Sequence, residues 1–209
     1  MTDVTMPAKA PRGRPRAFDP DIALKQASDL FLRQGFAATS LDDLADATGL
    51  KRSSLYGAFG NKLDLYLMTM DRFAEHMAAG LESAFASNRP LGSKLETFFE
   101  NALDIYYSAE GGSCLIWCTA PAEAHMDARI GDRLGRALQR LDSALESYLI
   151  EAQTKGALAA GAVPHALSRL IAATLHSLAL RVRAGMAREE ATGFYRSMID
   201  IVLSQARIA

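Results

Sequence analysis

Apolar residues recur at three- and four-residue spacing from the first ordered stretch onward. Ala23, Ala27, Leu30 and Phe31 fall between Asp19-Pro20 and Gly35, a spacing that lines one face of a helix. Asp19 suits the N-cap and Pro20 the first helical position, where a missing N–H removes no bond. Gly35 supplies a C-terminal stop. A second helix is predicted after Thr39-Ser40, because Ser40-Leu41-Asp42-Asp43 is similar to a capping box with Asp in place of Glu. Leu41, Leu44, Ala45 and Thr48 make its inner face and Gly49 ends it. A third short helix covers about residues 51–58, with Leu55 and Phe59 inward. Asn61 then caps a long fourth helix carrying Leu65, Met68, Phe73, Met77 and Leu81.

The rest of the chain repeats the helical period. Asn88-Arg89-Pro90 breaks the pattern before a helix at roughly 93–108, and Glu110-Gly111-Gly112 reads as a turn. A short apolar run, residues 114–118, stops near Pro121. Long helices follow at about 127–154, from Pro164, and from Arg188-Glu189-Glu190. No stretch alternates with period two and no internal repeat is visible, so the expected fold is all-α with about nine helices.

Composition narrows the setting. The hydrophobic content of 49% and charged content of 22% are those of an ordinary globular chain. The net charge of −1 hides an asymmetry. Ahead of Phe18 stand Lys9, Arg12, Arg14 and Arg16 against Asp3 alone, whereas the chain beyond Lys62 is net acidic. A basic arm on an otherwise mixed chain points to an anionic partner at one end. The two cysteines, Cys114 and Cys118, make no secreted disulfide framework. No apolar run is long enough to span a bilayer and no apolar leader is present, so the expected location is the cytoplasm, without a membrane partner.

The span LDDLADATGLKRSSLYGAFGNK, residues 41–62, carries the most chemistry. Two short helices joined at a glycine and braced on a preceding helix make a helix-turn-helix, here at about residues 41–60. In that motif the second helix enters the major groove with its N-terminal residues at the base edges. Lys51, Arg52, Ser53 and Ser54 occupy that end. Cations match guanine acceptors, and small hydroxyls reach bases or phosphates without blocking close approach. Arg12, Arg14 and Arg16 on the arm suit a minor groove or a run of phosphates.

These residues resemble the TetR family of bacterial repressors. The resemblance rests on the basic arm, Gly35-Phe36, Thr39-Ser40-Leu41, Leu44-Ala45, Gly49-Leu50, Leu55-Tyr56, Phe59 and Asn61-Lys62. It covers residues 17–68 in detail, and beyond them only the number and length of helices agree. Residues 1–16, Pro-, Ala- and Arg-rich with almost no apolar anchor, are expected to be a disordered arm, and the resemblance implies a DNA-binding domain over 17–68 and a ligand-binding and dimerisation domain over 69–209. It also implies that Thr39, Tyr56 and Lys62 contact phosphates, with Ser40 beside them, and that residues 51–54 and Gly57 belong to the recognition helix. The chain departs from the family pattern at Gly57-Ala58, where bulkier polar or aromatic residues are usual, at Lys51 in place of a Ser cap, and at Leu63 in place of Glu. Readout therefore shifts toward Lys51 and Arg52.

The family places a small-molecule cavity in the second domain, and Phe73, Met77, Phe98, Phe99, Tyr106, Trp117 and Tyr148 are its candidate lining. His125 and His176 are candidate polar anchors. Leu167, Leu170, Ile171, Leu178 and Val182 form one apolar stripe, and Phe194, Met198, Ile201 and Val202 another. Pairing of these two helices across a two-fold axis predicts a four-helix homodimer interface, the geometry that a palindromic operator in double-stranded DNA demands. Cys114 and Cys118 lie one helical turn apart and are candidates for redox sensing, or for a soft-metal site with His125. The expected function is a ligand-released, dimeric, sequence-specific DNA-binding repressor, with no catalytic residue, resident metal or cofactor. The alternatives are a thiol redox enzyme using Cys114, Cys118 and His125, and an architectural DNA binder without ligand response.

Overall fold

The computed structural model describes residues 18–108 and 114–204. The arginines at 12, 14 and 16 and the turn at 110–112 lie outside the described residues. Among the described residues there are ten helices and no strand. They are α1 (Pro20–Gln34), α2 (Leu41–Thr48), α3 (Arg52–Phe59), α4 (Lys62–Ala86), α5 (Leu91–Ser108), α6 (Leu115–Cys118), α7 (Ala120–Glu123), α8 (Ala128–Thr154), α9 (Pro164–Arg183) and α10 (Arg188–Ser204).

The predicted caps are formed. The Asp19 carboxylate accepts from the Asp21 N–H at 2.8 Å, with Pro20 opening the helix. Ser40 and Asp43 close a reciprocal capping box on α2, and Asn61 and Asp64 another on α4. These side chains satisfy helix N–H groups that otherwise have no partner. The expected nine helices become ten because the 114–123 run, interrupted by Pro121, folds as two single-turn helices rather than one. The third helix starts at Arg52, with Lys51 as its N-cap residue rather than its first member.

Helices α1–α3 pack on the first two turns of α4 around Phe31, Leu44, Leu55, Phe59 and Leu65, all buried. Burying side chains of this size stabilises by roughly 1.5–3 kcal/mol each before entropy is subtracted, so three helices too short to persist alone hold one another. The expected domain boundary at 68/69 falls inside α4, which runs 25 residues without interruption. Contacts between α4 and α8 advance in the same direction along both helices: Asp64 with Arg129 at 3.9 Å, Asp71 with Arg133, and Phe85 stacked on Tyr148 at 4.5 Å. The two long helices are therefore parallel neighbours, and α9 packs against α8, α10, α5 and α6.

Lys62 and Tyr66 tie the short helices to α4. The Lys62 Nζ donates to the carbonyls of Phe36 at 2.9 Å and Thr39 at 2.8 Å, and lies 4.4 Å over the Phe36 ring. One turn on, the Tyr66 ring packs at 5.0 Å from Phe31 and 4.9 Å from Phe36. The α1–α2 connection is thereby fastened to α4 at both of its ends. Replacing Lys62 by Met keeps the aliphatic stem but leaves two carbonyls without their charged donor. Such bonds contribute on the order of 1.5–3 kcal/mol when buried. At this half-buried site Lys62→Met is expected to lower unfolding stability by about 1–2 kcal/mol, read from the urea midpoint. An unchanged midpoint would show that the clamp contributes nothing to the fold.

Candidate nucleic-acid interface and the cavity behind it

The turn between α2 and α3 is made by Gly49 at φ 65°, ψ 14°, a left-handed conformation that a Cβ disfavours. The Leu50 N–H returns to the Ala45 carbonyl at 3.2 Å, closing the end of α2 and setting the angle of the next helix. Leu55 and Phe59 then face inward, with Phe18 6.1 Å from Phe59. By helical geometry the opposite face must point out, and Arg52, Ser53, Ser54, Tyr56 and Gly57 are all exposed. A Cβ built on Gly57 meets nothing within 4 Å, so the protein's own packing does not require glycine there.

The N-terminus of α3 differs from those of α1, α2, α4 and α8. Each of those has an oxygen-bearing side chain on its first N–H groups, whereas Lys51 makes no side-chain cap bond. The first turn of α3 carries no acid either. Its end thus offers open N–H donors, the positive end of a helix dipole and two cations. Arg52 is not loose: its Nε–H donates to Asp42 on α2 and its Nη2 sits against the same carboxylate, an exposed ion pair.

Three of the side chains expected at phosphates make contacts within the protein. The Thr39 side chain is buried, and its hydroxyl donates to the Gly35 carbonyl at 2.6 Å, so a hydroxyl-to-phosphate contact is not available to it. The Lys62 ammonium is engaged on the two carbonyls described above, which leaves one N–H for any other acceptor. The Ser40 side chain is exposed but caps α2 through Asp43, holding that carboxyl below the ordinary range by hydrogen bonding. Tyr56 stands free of such duties, 48% exposed on the outward face.

Behind this unit, α4, α6, α8 and α9 enclose a cavity of about 200 Å³. Phe73, Met77, Trp117 and Tyr148 line it as expected, joined by Leu81, Ile116, Leu141, Ala144 and Leu175, with Glu82 and Arg140 as the charged groups. Phe98, Phe99 and Tyr106 do not line it. They are buried in the core, where Phe99 stacks on Tyr195 at 5.0 Å. His125 is exposed beyond α7, so it anchors nothing inside. His176 lies 4.0 Å from Trp117, ring to ring, outside the lining. Burial lowers its pKa, and both its Nε2 and the Trp117 Nε1 lack a hydrogen-bond partner. The lining residues that sequence reading missed have one visible signal: Ala137 and Ala144, seven residues apart, leave room on the inner face of α8.

The wall of the cavity connects to the interface unit. Ile116 and Trp117 sit on α6, and the Thr119 hydroxyl just beyond donates to the Leu115 carbonyl at 2.7 Å. With that hydrogen committed, the Tyr66 hydroxyl is the donor in its 2.7 Å bond to Thr119, and burial raises the Tyr66 phenol to about 12. Cys114 is fully buried at the start of α6, and burial pushes its thiol well above the ordinary value, against thiolate chemistry. Among the described residues no group of three or more His, Cys, Asp or Glu is arranged to hold a metal ion, so the soft-metal arrangement with His125 does not form.

The predicted dimer stripes are largely internal. Leu167, Ile171, Leu178, Val182, Met198 and Val202 are buried within the protomer, where they fill the core shared by α9 and α10. The apolar groups left outside are Leu170 and Leu180 on α9 and Ile201 on α10, with Phe194 half-buried under Arg181 at 4.7 Å. Periodicity alone selects the more apolar face of each helix. That face packs inside the chain, and the outward face is offset from it by one to three residues.

Residues 23–68, from within α1 to within α4, match the family model described as bacterial regulatory proteins, tetR family. The HTH-type transcriptional repressor ComR of Escherichia coli is 30% identical over 193 residues, spanning 90% of this chain and 91% of that protein. Among solved structures, a TetR transcriptional regulator from Chloroflexus aurantiacus superposes with a TM-score of 0.77 at 21% identity, covering 88% of this chain and 94% of that one. The TetR family regulator CifR, as a cysteine mutant complexed with a 26 bp operator duplex, gives 0.73 at 22% identity and covers 93% and 99%. With the helix-turn-helix formed, the family model matched on it and a repressor aligned along nearly its whole length, the chain belongs to the tetR family of bacterial regulatory proteins and is a DNA-binding transcriptional regulator.

Proposed function

We propose that the protein is a homodimeric repressor that reads a palindromic operator with α3 and is released by a small, largely apolar molecule held between α4, α6 and α8. The observation that carries this reading is the outward face of α3: an uncapped N-terminus flanked by Lys51 and Arg52, followed by small hydroxyls and a glycine. This combination suits close approach to phosphates and base edges. The units are a DNA-binding region ending near residue 68 and an effector and dimerisation region beyond it, with α4 belonging to both. ComR is a repressor by name and CifR is solved on operator DNA, which favours the same role here.

Two reading helices must sit one turn of DNA apart, about 34–36 Å, to engage a palindrome together. The outward residues Leu170, Leu180 and Ile201, flanked by the small exposed Ala173 and Ser197, form the surface on which a second copy packs. A molecule in the cavity presses on Ile116 and Trp117. The displacement reaches Tyr66 through Thr119 and from there Phe36, so the orientation of the short helices changes relative to α4. A ligand that binds better to the arrangement with the wrong spacing shifts the population off DNA. Cys114 enters none of these steps.

Selecting duplexes from a random pool with the full chain tests the first element: a palindromic consensus is expected, and sequence-independent recovery overturns the reading. On that consensus Arg52→Ala should cost about 1–3 kcal/mol, roughly tenfold or more in Kd, with a much smaller loss on unrelated DNA. Equal losses on both duplexes would place Arg52 on phosphates instead. Leu180→Glu puts a charge in the proposed contact and should shift the protein to monomer in sedimentation at micromolar concentration. A dimer unaffected by it moves the interface elsewhere. Ala144→Phe fills part of the cavity. It should retain operator affinity while abolishing release by any compound found to act on the parent protein, and continued release would locate the effector at another site.

A further inference from the structure

We propose that Asp42 is a specificity-determining residue: it grips Arg52 by one edge and so presents the other edge of the guanidinium to guanine. The inference rests on the reading of α3 as the base-contacting helix.

Asp42 and Arg52 are ten residues apart and meet because the Gly49 turn folds α3 back beside the start of α2. The Nε–H donates to one oxygen, Oδ1, of Asp42, and Nη2 lies in ion-pair contact with the same oxygen. A guanidinium has five N–H groups, and this contact engages only the edge next to the side-chain stem. The outer edge, formed by Nη1 and the second hydrogen of Nη2, remains as a parallel pair of donors. That fork matches the O6 and N7 acceptors of guanine in the major groove. Arginine carries about 2 kcal/mol of rotamer entropy, and a carboxylate that restricts the side chain in advance reduces what recognition must supply.

Folding does not account for the pair. The two side chains are 57% and 64% exposed, and ion pairs in that setting contribute little to stability. Nor is Asp42 the cap of α2, a role taken by Ser40 and Asp43. Its carboxylate near the α2 N-terminus does gain modestly from the helix dipole, but that gain is the same on every DNA sequence and in its absence. On the face that approaches DNA a carboxylate repels every duplex. The opposing benefit, an oriented Arg52, arises only where guanine stands in register. Asp42 therefore raises discrimination rather than affinity.

Asp42→Asn keeps the shape and removes the charge. Dissociation constants would be measured for the parent protein, Asp42→Asn, Arg52→Ala and the double variant, on the selected consensus duplex and on a scrambled duplex of equal length. The expected result is that Asp42→Asn binds the scrambled duplex as well as or better than the parent, while the ratio of specific to nonspecific affinity falls by about tenfold, the scale of one good base contact. In the Arg52→Ala background the same change should alter that ratio less than about twofold, because the residue acts through Arg52. A ratio unchanged by Asp42→Asn overturns the proposal while leaving α3 as the reader, provided that Arg52→Ala still lowers the ratio. A full-sized drop that persists without Arg52 also overturns it, since Asp42 would then contact a base directly. If Arg52→Ala leaves the ratio untouched, both the proposal and the reading beneath it fall. Thermal unfolding of each variant separates a folding defect from these outcomes.

Discussion

Tyr66 is the point at which three parts of the molecule touch. Its ring fills the space between Phe31 of α1 and Phe36 in the α1–α2 connection, and its hydroxyl crosses to Thr119 beyond α6. A buried phenol needs a hydrogen-bond partner, and Thr119 offers a lone pair because its own hydrogen is committed to Leu115. The side chain therefore cannot relax independently of either neighbour. Helices α1 to α3 share their small core with α4, and this contact, with the Lys62 clamp one turn earlier, ties the α1–α2 connection to it.

The same contact joins the wall of the cavity to the interface unit. The cavity wall formed by α6 is a single turn long and ends at Thr119. A helix so short is held by its neighbours: Leu115 and Ile116 are buried among α1, α4 and α9, and Tyr66 bonds Thr119 at its end. Trp117 and His176, in contact with each other, each retain a buried polar nitrogen with no partner. Tyr106, in the core beside Phe98, Phe99 and Leu103, holds a buried hydroxyl in the same condition.

Charge on the interface face is divided between internal contacts and the surface. Lys62, which the family resemblance would give to a phosphate, uses its ammonium to hold backbone carbonyls, and Thr39 turns its hydroxyl inward. Lys51 and Arg52 remain on the surface, and Arg52 is steered by Asp42. The exposed side chains of this face are those of Lys51 and the first turn of α3, together with Tyr56.

Helix positions, caps and the helix-turn-helix were legible in the chain because each depends on neighbours within a few residues: Ser40 with Asp43, Asn61 with Asp64, and Gly49 at its left-handed turn. The inward faces of α2 and α3 were equally legible, since helical periodicity assigns them without reference to the rest of the molecule. Periodicity cannot say which other element an apolar face meets. Ile171, Leu178 and Val202 show the limit: the strongest stripes on α9 and α10 pack within the protomer, and a weaker outward stripe stays exposed. The same holds for Phe98 and Phe99 against Phe73 and Met77, alike in character yet divided between core and cavity by the placement of α8. Local hydrogen bonding and helical period were written into the sequence, whereas tertiary packing alone decided which apolar and charged groups were consumed internally and which stayed available for function.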